Sequence, residues 1–147
     1  RVIIDHLLGL PLRRGISGPR LISRAEGYWR DEQTLAVLLA MGDALAAVKY
    51  QGWAGLGPVG DNLIGFDPAD RHTERVEKAL HWLEQTASPS GFLPGVLSVQ
   101  DIALSCFILW TEARGRILWR GRPNLEAIVD NCANRPSFFA TRPQPWP

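Results

Sequence analysis

Cysteine, charge of one sign and long apolar runs are all scarce in this chain, and each shortage narrows what it can be. The only thiols are Cys106 and Cys132. They form no C-x-x-C pair, which excludes the paired-cysteine metal and redox motifs. Both fall in apolar helical stretches, so buried, reduced, inert thiols are expected in preference to a disulfide. Sixteen Lys and Arg against fifteen Asp and Glu leave a formal charge of +1. That is too weak a field to draw in nucleic acid or an anionic membrane surface, and neither is expected as a partner. No apolar run reaches the ~18 to 20 residues of a membrane-spanning helix. The short apolar stretch at the start leads into Gly9 and Pro11 rather than a cleavage site, so no signal peptide is read and a cytoplasmic protein is expected. Alternating apolar and polar segments of strand length are also missing, which leaves the all-α class.

Motifs that announce chemistry are missing in the same way. No G-x-S-x-G elbow frames a serine, no Walker or G-x-G-x-x-G loop occurs, and neither cysteine has a histidine beside it in sequence. His72 and His81 are nine residues apart, off a shared helical face, and with His6 they form no H-E-x-x-H unit. No catalytic residue and no metal ligand are assigned within the chain. Arg114, Arg116, Arg120 and Arg122 gather around Trp119, a combination that suits anion recognition. The plainer reading is preferred. Arg114 closes a helix, where a cation is favoured by ~0.3 to 1 kcal/mol, and the others lie on a solvated link.

What is present is a series of helix signals spread over a length that supports one hydrophobic centre. Ser23-Arg24-Ala25-Glu26 is a capping-box candidate, and no proline follows until after Tyr50, so a long helix is predicted to Tyr50. Its Leu35, Leu38, Leu39, Leu45 and Val48 recur at helical spacing, with Trp29 and Met41 nearby. Ala36, Ala40, Gly42, Ala44, Ala46 and Ala47 line other faces and let a second helix approach closely. Residues 51–67 read as a glycine-rich surface loop whose apolar side chains pack back on the body. Asp67-Pro68-Ala69-Asp70 starts a helix running to about Ala87, with Val76, Leu80 and Leu83 along one face.

The densest signal is Leu97-Ser98-Val99-Gln100-Asp101-Ile102. Ser98 and Asp101 are spaced for a reciprocal capping box, and Leu97 and Ile102 for a hydrophobic staple. The helix that follows is apolar on nearly every side and reads as the central helix of the core, ending near Gly115. Pro123-Asn124-Leu125 starts another helix with Leu125, Ile128, Val129 and Cys132 on its apolar face. Arg135-Pro136 restarts the chain as one short helical turn, and residues 143–147 are not expected to be helical. Counting Val2 to Leu8, about six helices are expected.

In order and spacing these parts resemble the C-terminal helical domain of the cytosolic glutathione S-transferase superfamily, and the resemblance covers nearly the whole chain. Val2 to Leu8 is similar to the family's I-x-x-Y-L-D helix, which ends its thioredoxin-like first domain. Gly18-Pro19-Arg20-Leu21-Ile22 matches the linker. Met41-Gly42-Asp43 stands where the family's long helix often has Ala-Asp-Gly, a departure from the pattern. Ser98 and Asp101 match the buried Ser/Thr-x-x-Asp box of the family's core helix. Pro123-Asn124-Leu125 with Arg135-Pro136-Ser137-Phe138-Phe139-Ala140-Thr141 matches its closing element.

The resemblance implies that residues 1–10 are the remnant of the last helix of a thioredoxin-like domain and 11–147 an all-helical C-terminal domain, a glutathione S-transferase-like bundle. In the family, glutathione and the residue that activates its thiol belong to the first domain. The helical domain supplies the wall of the pocket for a small hydrophobic electrophile and part of a homodimer interface. Glutathione is then a co-substrate of the complete protein, which is expected to conjugate or reduce small electrophiles with it; no cofactor is bound covalently, and this chain alone is expected to be inactive. Met41, Leu45, Lys49, Tyr50 and Trp53 fall where the family lines its co-substrate pocket, with core or dimer surface as the plainer alternative for each. Ser98 and Asp101 are structural. The other functional reading is a non-catalytic protein–protein interaction module of the same fold.

Overall fold

The helix starts at Pro68, after Ser98, at Pro123 and at Pro136 are written locally, by prolines and a hydroxyl, and four helices form where those signals fall. A computed structural model describes residues 28–54, 68–93, 95–114 and 118–144. Within them are five helices: α1 (Tyr28–Trp53), α2 (Pro68–Thr86), α3 (Val99–Arg114), α4 (Pro123–Ala133) and α5 (Pro136–Ala140). Pro68, Pro123 and Pro136 each stand first in their helix, where the missing N–H costs nothing. No strand occurs among the described residues, only an isolated bridge between Ser88 and Gly91, so the chain is all-α there. The helix expected over Val2 to Leu8, the linker, the box at Ser23 and residues 55–67 lie outside the described residues.

The long first helix runs past its expected end at Tyr50 to Trp53. The N–H of Ala54 still donates to the Tyr50 carbonyl at 2.9 Å. Gly52 alone does not stop a helix whose preceding turn is already formed, since an interior glycine costs only about 1 kcal/mol.

The four longer helices form a closed ring: α1 packs on α2 and α3, and α4 packs on the same two from the other side. The core fills the ring with Leu38, Met41 and Leu45 of α1, Val76, Leu80 and Leu83 of α2, Leu104 and Ile108 of α3, and Leu125, Ile128 and Val129 of α4. Full burial of one such side chain contributes about 1.5–3 kcal/mol. α5 adds the half-buried Phe138 against the core and leaves Phe139 outside.

α1 and α3 run parallel. Near their first turns the side-chain amide of Gln100 donates to the Asp31 carbonyl at 3.3 Å. Midway, a Cβ on Gly42 would stand 2.5 Å from Phe107 Cε1, so only glycine lets the ring in. At their last turns the ammonium of Lys49 donates to the Arg114 carbonyl. The close approach expected of the small residues is met by Gly42 and by the buried Ala44, whereas Ala36 and Ala40 face outward.

One expectation is corrected by this ring. Among the described residues α1 and α4 pack on α3, burying Leu104, Ser105, Ile108 and Leu109, with Ala103, Phe107 and Trp110 half-buried against the core. Cys106 is exposed, not buried as expected, while Cys132 is buried. The free thiols are otherwise in keeping with the sequence, and no disulfide joins them. Where α3 buries hydroxyls, each is satisfied by its own helix: Ser105 Oγ donates to the Asp101 carbonyl at 2.8 Å and Thr111 Oγ1 to that of Phe107 at 2.7 Å.

Candidate functional site

The carboxylate of Asp101 is anchored by three hydrogen bonds. Oδ2 accepts the N–H and the hydroxyl of Ser98, both at 2.8 Å, and Oδ1 accepts the N–H of Phe92 at 2.9 Å. In return the N–H of Asp101 donates to Ser98 Oγ at 3.1 Å. The reciprocal capping box is complete, and the bond from Phe92 ties the preceding turn to the same carboxylate. That turn closes through paired backbone bonds between Ser88 and Gly91, at 3.2 and 3.0 Å. Gly91 sits at φ 117°, and a Cβ there would stand 3.0 Å from Asp101 Oδ2, so the turn requires glycine on both counts.

A shallow hollow of about 160 Å³ opens beside this box, lined by Ser90, Leu97, Asp101, Ile128, Asn131 and Cys132 among others. Its one carboxylate is fully occupied by the cap. Burial pushes the Cys132 thiol above its ordinary range, and Asp101 adds to that effect. Cys106 reaches the surface, yet partial burial of its sulfur pushes that thiol up as well. Both sulfurs are therefore held as thiols at neutral pH, which suits inert cysteines and not nucleophiles. Among the described residues no group of His, Cys, Asp and Glu side chains could hold a metal ion.

The binding residues expected from sequence lie at the other end of α3, about 20 Å of helix away. Met41, Leu45 and Lys49 follow one another four apart along a single line of α1. The first two are 0% and 3% exposed and belong to the core, so they offer no surface to a ligand. Lys49 leaves that line at the rim, where its ammonium reaches the last carbonyl of α3 and adds a cation at the negative end of the helix. Tyr50 and Trp53 turn outward, 60% and 49% exposed. Their rings meet edge to face, centroids 5.3 Å apart at 75°, and Lys49 Nζ stands 5.9 Å from the Trp53 ring centre. The structure thus divides the five residues: two build the floor of α1, and three gather into an aromatic surface with a cation beside it. Such a surface can hold an apolar or aromatic group.

Compared with known proteins, the chain matches no family model, no curated protein and no solved structure.

The arginine cluster is engaged within the fold. Arg120 lies 4.6 Å over the Trp119 ring and 3.3 Å from Glu112, whose Oε1 also accepts the Trp119 indole N–H at 2.9 Å. Arg122 donates to the carbonyls of Leu118 and Trp119 and pairs with Glu77 at 2.6 Å. Arg114 donates to the Gln144 carbonyl, and Arg116 lies outside the described residues. These contacts pin the link before α4 around the buried Trp119.

One polar residue escaped the sequence reading. Glu84 of α2 accepts the N–H groups of Asn124 and Leu125 and so caps α4 from outside. A signal was there: Arg122 precedes Pro123 with no side-chain oxygen to serve as cap, so the orphan donors of α4 had to be met from another element.

Proposed function

We propose that this chain is the helical, co-substrate-binding and dimer-forming domain of a glutathione S-transferase-like protein. The observation that carries the reading is the reciprocal, buried box of Ser98 and Asp101 at the start of α3. The proline-started α4 and the short α5 after Arg135 follow it in the order the resemblance requires. On this reading glutathione is held, and its thiol activated, by a thioredoxin-like domain outside residues 1–147. The thiolate attacks an electrophilic carbon, the C–S bond forms and the leaving group departs with its electron pair. The part of the helical domain is to hold the apolar body of the electrophile against Tyr50 and Trp53, with Lys49 at the rim. The complete protein is a cytoplasmic homodimer.

The support for this division of labour is the pair of exposed aromatics with a cation beside them at the end of α1. The test is glutathione-resin retention of the full-length protein together with a conjugation assay on a generic aromatic electrophile. Retention with conjugation by the full-length protein, and none by residues 1–147, is the expected result. Enzyme-like rates from residues 1–147 alone would overturn the division of labour. Absence of both retention and conjugation in the full-length protein would overturn the transferase reading and leave the non-catalytic interaction module.

A further inference from the structure

We draw no further inference here: the strongest candidate, the exposed apolar face of α1 running through Ala36, Leu39 and Ala40 toward Tyr50, carries none because nothing in the structure shows what covers it.

Discussion

Asn124 donates to Glu84 twice, from its backbone N–H to Oε1 at 3.1 Å and from its side-chain amide to the Glu84 carbonyl at 3.2 Å. With the N–H of Leu125 on Oε2 at 3.0 Å, the last full turn of α2 holds the first turn of α4. A carboxylate is also the favoured charge at a helix N-terminus. Replacing Glu84 by Ala strips two donors of their acceptor and is expected to cost about 1–3 kcal/mol. Glu84→Gln keeps one acceptor and is expected to cost about half as much. Urea unfolding of the two variants against the parent measures both, with an unchanged slope if the native state stays compact.

The Ser98 and Asp101 box gives a second, graded pair. Ser98→Ala removes one acceptor and one donor and is expected to cost about 1 kcal/mol, the usual loss for a cap. Asp101→Ala removes the acceptor for Ser98 and for Phe92 in a buried site, so it is expected to cost about 2–4 kcal/mol. Equal losses from the two, read by thermal or urea unfolding, would contradict the placement of Phe92 on this carboxylate.

Gly42 is expected to tolerate no side chain. Gly42→Ala puts a methyl group into the Phe107 ring, and overpacking of this kind costs about 1–3 kcal/mol. Phe107→Leu in the same chain should return part of the loss, because the shorter side chain withdraws from the contact. A double-mutant cycle of unfolding free energies checks this, and simple additivity would count against the close parallel approach of α1 and α3.

The two thiols are expected to differ in access and agree in protonation. With a chromogenic disulfide reagent at neutral pH, Cys106 should react slowly and Cys132 only as the protein opens. The thiol values of both are raised in the folded state, so the folded chain keeps their protons to higher pH than the unfolded chain does. Their contribution to stability is therefore full below the ordinary thiol value and is lost as pH rises through the folded values. Cys132→Ser should reduce the fall in stability on the alkaline side. Rapid labelling of Cys132 in native protein would contradict its burial.

Most of the helices were legible because their boundaries are local. Pro68, Pro123, Pro136 and the Ser98 box state where helices begin without reference to anything distant. What escaped was set by contacts far along the chain. α3 carries apolar residues all round, so its sequence could not say which flank α1 and α4 would cover, and Cys106 was placed inside. The cap from Glu84 reaches across forty residues; the missing local cap at Arg122 marks the need for a partner and not which residue meets it. In the candidate site, Met41, Leu45 and Lys49 share one line of α1, and only the ring of helices decides how far along that line burial extends. Tyr50 and Trp53 are named by the family resemblance alone; that their rings meet at the surface is set by where the core beneath α1 ends.

The measurement that bears most directly on the account is the initial rate of glutathione conjugation to an aromatic electrophile by the full-length protein and by its Tyr50→Ala and Trp53→Ala variants. Both side chains are largely exposed, so stability should hold. The account predicts conjugation by the parent, an electrophile KM raised about five- to thirtyfold in each variant, equivalent to about 1–2 kcal/mol of lost contact, and an unchanged glutathione KM. No conjugation by the parent, or variants with the parent's KM for the electrophile, would contradict it.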